Sequence, residues 1–223
     1  MRPMNRSDDS APGTPAFDTA FQAQLRDLIL WRRDVRRFRR DAVPQEIVEE
    51  LLRLAAHAPS VGYSQPWRFV LVEDAGRRAA VRENFATCNA EALSAQRGER
   101  AKLYASLKLA GLGDAPVHLA VFCDEATEVG HGLGRRTMPE TLRYSVVTAV
   151  HTLWLAARAQ GIGVGWVSIL DPAAVARTLE VPKSWALVAY LCVGWPRDDQ
   201  QVPELERQGW EARQDPATTI LRR

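Results

Sequence analysis

The residues with the greatest chemical potential lie in one arginine-rich segment, WRRDVRRFRR, at positions 31–40. It carries six arginines and a single carboxylate, Asp34. Alternate side chains of an extended segment point the same way, which places Arg32, Asp34 and Arg36 on one side. Two guanidinium groups on one side present forked donors that suit a phosphate. The segment therefore predicts an anion site, although charge alone favours a solvated basic loop.

The charge of the whole chain argues against a nucleic-acid surface. The formal net charge is +2, and the segment 31–40 contributes +5 (six Arg minus one Asp), so the remaining residues carry −3. They offer no second basic stripe. The longest apolar tract, YSVVTAVHTLWLAA, is too short to cross a bilayer. We therefore expect neither nucleic acid nor membrane as a partner.

A second stretch, APSVGYSQPW at 58–67, is a turn with small polar side chains that leads into an apolar run. Ser60 and Gln65 have donors and acceptors that suit a planar heteroaromatic ring. The alternative is that they satisfy the backbone of the turn, which is the usual role of serine near proline and glycine.

A third stretch, GIGVGWVSIL at 161–170, has glycines inside an apolar run. The spacing and the order, helix into strand, exclude a dinucleotide-binding fingerprint. Gly163 and Gly165 within a strand indicate close approach of a ligand or of another backbone segment. Ser168 either faces that ligand or is an ordinary polar residue of a strand.

Several other kinds of site find no support in the sequence. It contains no phosphate-binding P-loop, no nucleophile elbow and no metalloprotease helix. The four histidines lack the spacing of metal ligands, so we expect no metal. Three widely spaced cysteines give no disulfide framework and favour the reducing cytoplasm.

The remaining pattern predicts an α+β (mixed α/β) fold. Residues 1–16 are expected to form a disordered arm, and residues 17–223 a single domain. Between 75 and 111 we expect one or two helices, broken near Gly98. The tract from Tyr144 to Ala159 is apolar nearly all round, which is typical of a buried central helix or an oligomer interface.

Taken together, these residues resemble the flavin-binding nitroreductase superfamily. The resemblance covers most of the chain beyond Asp18 and is carried by RRDVR, APSVGYSQPWRFVLV, GERAKLYASLKLAG, YSVVTAVHTLWLAARAQGIGVGWVSIL and PELERQGW. It implies a central mixed sheet surrounded by helices, and an intertwined homodimer with FMN between the subunits. It also implies a lid over the flavin at about 98–113. Tyr63 and His151 depart from the residues usual in the family.

Asp34, where ordinary nitroreductases usually have serine, and the serine of GWVS point to one branch of the superfamily. That branch uses molecular oxygen to fragment reduced FMN into 5,6-dimethylbenzimidazole, the lower ligand of cobalamin, and erythrose 4-phosphate. The resemblance implies catalytic roles for Asp34, as a base, and Ser168. The residues that it implies for FMN binding are Arg32, Arg33, Asp34, Val35, Arg36, Ser60, Gln65, Leu109, Val167, Ser168 and Arg213.

The same resemblance implies a separate flavin reductase as the supplier of reduced FMN. Two alternatives stay open at this point. The first is a conventional NAD(P)H-dependent FMN reductase that acts on nitro compounds or quinones and keeps its flavin. The second is a protein that stores flavin without chemistry.

Overall fold

The structure, a computed structural model, describes residues 15–223. The predicted arm at 1–16 lies outside this range except for its last two residues. The described helices are α1 (Thr19–Trp31), α2 (Gln45–Ala55), α3 (Ala75–Ser94), α4 (Gly98–Ser106), α5 (Thr141–Ala159), α6 (Pro172–Thr178) and α7 (Glu204–Arg207). The strands are β1 (Trp67–Leu71), β2 (Val117–Asp124), β3 (Gly163–Val167) and β4 (Trp185–Gly194). Between 75 and 111 one or two helices were expected; the structure has two, α3 and α4, and confirms the break just before Gly98.

The four strands form one sheet in the order β1-β2-β4-β3, and every neighbouring pair is antiparallel. The α+β class is therefore confirmed. The expected mixed sheet needs a correction, because the described strands contain no parallel pair. The parallel component is one isolated bridge between Asp34 and Val164. A short arginine-rich segment, rather than a full strand, occupies that edge of β3.

The sheet is buried on both faces, and β2 shows how the sequence achieves this. Leu119 and Val121 belong to the core cluster formed with α2 and α5. Ala120 and Phe122 belong to the opposite cluster, which includes residues of α3 and α6. Because successive side chains of a strand point to opposite faces, a continuous apolar run is what a two-sided burial requires. The result is a three-layer arrangement of helices, sheet and helices.

Helix α5 is the central helix that the sequence predicted. Eight of its side chains are buried, and Gly161 follows its end with φ of 73°, a conformation that favours glycine. Tyr144 and Val147 nevertheless remain exposed. Helix α1 has no buried residue at all. Both helices therefore present apolar surface that residues 15–223 of this copy do not cover.

Two broad statements apply to residues 15–223. No helix in this range is both long enough and apolar enough to cross a membrane. No cluster of three or more histidine, cysteine, aspartate or glutamate side chains is arranged there to hold a metal ion.

Candidate functional site

The arginine-rich segment is extended, as predicted, and lies along the open edge of β3. The backbone N–H of Val35 donates to the carbonyl of Val164 at 3.0 Å. A Cβ on Gly165 would lie 2.0 Å from the carbonyl oxygen of Val35. Gly165 is therefore explained by close approach of a backbone segment, which was one of the two alternatives, and Gly163 by the Val35 side chain, which a Cβ there would meet at 2.9 Å. This contact fixes the segment on the sheet.

Asp34 is held by two partners. Its Oδ1 accepts the backbone N–H of Trp166 at 2.8 Å, and its Oδ2 accepts Nε of Arg36 at 2.9 Å. The Arg36 side chain is only 11% exposed and the Asp34 side chain is 32% exposed. The carboxylate is thus fixed in position and neutralises Arg36, yet about a third of it remains open to a ligand.

Arg36 also connects this segment to the region predicted as a lid. Its Nη1 donates to the backbone carbonyl of Lys108 at 3.2 Å. Lys108 follows α4 and directly precedes Leu109. The structure therefore brings the predicted site residues Asp34, Arg36 and Leu109 into one neighbourhood, although Leu109 is more than 70 residues away in sequence.

Arg32 is positioned by Trp154, a residue that the sequence analysis did not select. The guanidinium carbon of Arg32 lies 4.8 Å from the centroid of the Trp154 ring. The indole N–H donates to the carbonyl of Arg33 at 3.1 Å. A buried tryptophan usually needs a hydrogen-bond acceptor for its indole N–H. The presence of Trp154 in an apolar helix therefore indicated that an acceptor from another segment lies against α5.

Positive charge is crowded around Arg33. Partial burial, followed by the charges of Arg32 and Arg213, lowers the pKa of the Arg33 guanidinium. The negative charge of Glu206 raises this pKa, and the positive charge of Arg158 lowers it by a smaller amount. A guanidinium stays protonated at any ordinary pH, so this shift reports repulsion rather than titration. The cluster is therefore suited to an anion that would relieve the repulsion.

Residues between 198 and 207 form one wall of the cleft beside these arginines, and the sequence analysis named none of them as site residues. Arg33 donates to the backbone carbonyl of Gln201. Arg37 pairs with Glu204 at 2.8 Å, and the Glu204 side chain is only 10% exposed. Pro203, Glu204 and Leu205 line a cavity together with Arg33, Asp34 and Arg36. No local sequence pattern predicts this wall, because Arg33 contacts it through a backbone carbonyl, which every residue type has.

The end of β3 separates two predicted residues. Val167 is buried in the core, so its side chain is not available to a ligand. Ser168 is exposed and lies two residues beyond Trp166, whose N–H binds Asp34. Ser168 follows the end of β3 at Val167, and among the described residues it shares no hydrogen bond with Asp34.

The turn that contains Ser60 and Gln65 is built around strained backbone. Ser60 Oγ accepts the N–H of Gln65 at 3.1 Å, which is the backbone role considered for it. Tyr63 and Gln65 have φ of 56° and 44°, and the Tyr63 side chain is 78% exposed. Ser64 Oγ is buried and has no hydrogen-bond partner among the described residues. Strain and an unpartnered polar atom are features of functional turns.

One copy of the chain does not bring this turn to the arginine cluster. The turn is bound to the first half of α5, where Val61 N–H donates to Ser145 Oγ and Thr148 Oγ1 donates to the carbonyl of Pro59, each at 3.0 Å. The arginine segment contacts Trp154, six to nine residues later, which is about 9–14 Å along the helix. The cleft beside the arginines is lined by neither Ser60 nor Gln65.

Comparison with known proteins agrees with this architecture. Residues 29–195 match the family model described as "Nitroreductase family". The chain is 60% identical over 199 residues to the 5,6-dimethylbenzimidazole synthase of Rhodospirillum rubrum, covering 89% of this chain and 94% of that protein. It is 46% identical over 195 residues to the enzyme of the same name from Rhodobacter capsulatus, covering 87% and 94%.

Solved structures show the same fold. Oxidised iodotyrosine deiodinase bound to FMN and 3-iodo-L-tyrosine aligns with a TM-score of 0.67 and 29% identity, over 79% of this chain and 91% of that one. A nitroreductase-like protein from Streptococcus mutans aligns with a TM-score of 0.66 and 19% identity, over 90% and 98%. The chain therefore belongs to the nitroreductase family.

Proposed function

We propose that the chain is a 5,6-dimethylbenzimidazole synthase, which consumes reduced FMN and molecular oxygen and releases 5,6-dimethylbenzimidazole and erythrose 4-phosphate. The observation that carries the proposal is 60% identity to the Rhodospirillum rubrum enzyme over 94% of its length. Asp34, one of the two residues that pointed to this branch in the sequence, lines the cleft beside the arginines. The product serves as the lower ligand of cobalamin.

The arginine cluster fits the phosphate of FMN. Arg32, Arg33 and Arg213 have no carboxylate within 4.0 Å in the part of the chain that the structure describes. A dianionic phosphate would supply the missing negative charge and accept forked hydrogen bonds. Arg36 is different, because Asp34 already neutralises it. We therefore assign phosphate binding to Arg32, Arg33 and Arg213, and assign to Arg36 the positioning of Asp34.

When bound, FMN supplies both the electrons for oxygen and the carbon skeleton of the product. The protein must then orient it, accept protons from it and keep bulk water away. Asp34 Oδ1 and Oδ2 each use one lone pair on Trp166 and Arg36, which leaves each oxygen one site for a substrate proton. The hydrogen bonds from Arg36 and Trp166 hold the carboxylate in place, where it can act as a base. For Ser168, which is exposed just after the end of β3, we propose a role as a hydrogen-bond donor to the substrate.

We further propose that the active form is a homodimer in which the turn from 60 to 65 completes the arginine site of the other copy. Three observations support this: the exposed apolar residues of α1 and α5, the unpartnered Ser64 hydroxyl, and the absence of the turn from the cleft in one copy. An apolar surface of this kind is stabilised when a second copy covers it.

Mixing two defective variants tests this arrangement. Asp34→Asn and Gln65→Gly, which tolerates the positive φ, should each lack activity as homodimers. After unfolding and refolding together, mixed dimers would contain one intact site, so we expect about a quarter of parental activity. Each variant refolded alone is the control. Full activity of Gln65→Gly by itself, or no recovery in a mixture shown to contain mixed dimers, contradicts the shared site.

The phosphate assignment gives a second prediction. Arg213→Gln removes one charge-assisted hydrogen bond, so the dissociation constant of FMN should rise roughly 10- to 100-fold. Isothermal titration or fluorescence quenching measures it. Arg222→Gln, an exposed arginine nine residues further along the tail, is the matched control and should leave the affinity unchanged. Equal affinities of both variants and the parent would remove Arg213 from the site.

The function itself is tested by supplying reduced FMN from a separate flavin reductase, admitting air, and detecting 5,6-dimethylbenzimidazole by mass and fluorescence. We propose that such a reductase is also the physiological supplier, and that both act in the cytoplasm. Steady NAD(P)H oxidation with retained flavin would instead identify a conventional reductase. Recovery of unchanged FMN would identify a flavin-storing protein. Either result overturns the proposal.

A further inference from the structure

The C-terminal segment contains a tryptophan that contacts α4, the helix at the start of the predicted lid. The guanidinium carbon of Arg100 lies 4.7 Å from the centroid of the Trp210 ring. The Tyr104 ring contacts the same indole edge-on, with centroids 6.0 Å apart at 63°. Arg100 and Tyr104 are four residues apart, so they lie on one face of α4. Trp210 therefore covers that face.

The position of Trp210 is set by α7 and by the turn that ends it. Gly209 has φ of 73°, its N–H donates to the carbonyl of Glu206 at 3.0 Å, and the N–H of Trp210 donates to the carbonyl of Leu205 at 2.8 Å. This is a Schellman-type ending, in which the glycine directs the next apolar residue. Helix α7 is itself fixed to the arginine segment by the Arg37–Glu204 ion pair. The indole is thus anchored indirectly to the phosphate site.

Helix α4 has few other attachments. Tyr104 is its one buried side chain among the described residues, and its hydroxyl donates to Asn89 Oδ1 at 2.9 Å. At the C-terminal end, the carbonyl of Lys108 accepts from Arg36. The helix is therefore held at its end by the arginine segment and on its face by α3 and Trp210. A weakly amphipathic helix of nine residues has little stability without such tertiary contacts.

We propose that Trp210 is a positioning residue that holds α4, and with it the stretch leading to Leu109, closed over the flavin site. The indole links the wall of the phosphate site to the helix, so anchoring of the phosphate and closure of α4 depend on one another. The inference rests on the proposed function, because it gives α4 the task of keeping reduced FMN productive until it is fragmented.

Hydrogen exchange of the FMN-loaded protein tests the mechanical part. Removing the aromatic and cation–π contacts should raise the exchange of the α4 amides roughly 5- to 50-fold in Trp210→Ala, with α5 unchanged. Trp210→Phe, which keeps an aromatic ring, should restore most of the protection. Arg100→Gln should give an intermediate increase, and it replaces Trp210→Ala if that variant does not fold. Lys102→Gln, on the same helix but paired only with exposed Glu99, is the matched control.

The partition of reduced FMN tests the functional part. Premature opening lets reduced FMN pass two electrons and two protons to oxygen, which gives oxidised FMN and hydrogen peroxide instead of product. Trp210→Ala should therefore shift the ratio of benzimidazole to hydrogen peroxide several-fold towards peroxide, and Trp210→Phe should restore it. Unchanged α4 exchange, or an equal rise in α5, overturns the proposal. So does an unchanged ratio in a parent that makes product. A parent that makes none refutes the proposed function instead, while the exchange result still stands.

Discussion

Asp34→Asn should lower the rate of 5,6-dimethylbenzimidazole formation by roughly 10²- to 10⁴-fold, the usual contribution of a general base. Its effect on FMN binding should be small, because the arginines assigned to the phosphate are not those that Asp34 neutralises. Asparagine keeps an oxygen for the Trp166 N–H but has no charge for Arg36 and cannot accept a proton as a base. Rates under single turnover, with FMN affinity measured separately, distinguish the two effects.

The substitution also has a structural cost that must be separated from the chemical one. Arg36 is 11% exposed, so the loss of its partner leaves a mostly buried charge uncompensated. Because Asp34 itself is about a third exposed, we expect a loss of about 1–2 kcal/mol rather than the larger cost of a fully buried pair. Chemical unfolding measures this loss of stability. Activity assays at temperatures well below the unfolding midpoint of the variant keep it folded, so that the measured rate reports the chemical effect.

The chain offers a matched control for this variant. Asp41 also pairs with an arginine two residues away, Arg39, at 2.8 Å, but both side chains are 56% exposed. Asp41→Asn removes the same charge directly after the segment and away from the cleft, so activity should stay near the parental rate. If Asp34→Asn forms product at the rate of Asp41→Asn, Asp34 only spaces the arginines and is not the base.

Some features of the fold depend on local sequence alone. The extended arginine segment was predicted from side-chain alternation, and the start of α6 at Pro172 follows from capping by Asp171, both of which neighbouring residues determine. Asp171 indeed accepts from the N–H groups of Ala173 and Ala174. Arg32 to Arg36 could be proposed as site residues for the same reason, since their spacing is local.

The parts that the sequence did not reveal depend on contacts between distant segments. Gln201 contributes only its backbone carbonyl to Arg33, and any residue type has one. Trp154 and Trp210 were visible as residue types, but their partners lie 121 residues and about 110 residues away. The antiparallel order of the strands likewise follows from long-range pairing. Ser60 looked like a ligand residue, whereas in one copy its hydroxyl supports the turn.

These contacts suggest why the arginine segment carries a carboxylate at its centre. Without Asp34, the partly buried Arg36 would add its charge to a cluster that already lowers the pKa of Arg33. With Asp34, Arg36 is neutralised and fixes geometry, while Arg32 and Arg33, which have no carboxylate within 4.0 Å among the described residues, are left for an anion. A single residue thus limits repulsion in the empty site and presents a base beside the substrate.

Stability below neutral pH should depend on one buried histidine. His118 on β2 is 2% exposed, and Tyr190 on β4 lies against it, with Nδ1 and the phenol oxygen 3.0 Å apart. Burial, and then the positive charges of Arg78 and Arg82, lower the pKa of His118 to about 4. The carbonyl of Ala115 accepts a hydrogen bond from the imidazole and opposes this only in part. Folded His118 is therefore neutral where an unfolded histidine takes up a proton.

The sign of the effect follows from that difference. Between pH 6.5 and 4 the unfolded chain binds a proton that the folded chain does not, so stability falls as the pH falls through this window. The difference between 6.5 and about 4 amounts to roughly 3 kcal/mol at most. His118→Gln, which is uncharged throughout, should flatten the unfolding free energy over this window relative to the parent, whatever its stability at pH 7. His57→Gln, an exposed histidine, should keep the parental slope, and the same slope in both variants would show that His118 does not control acid stability.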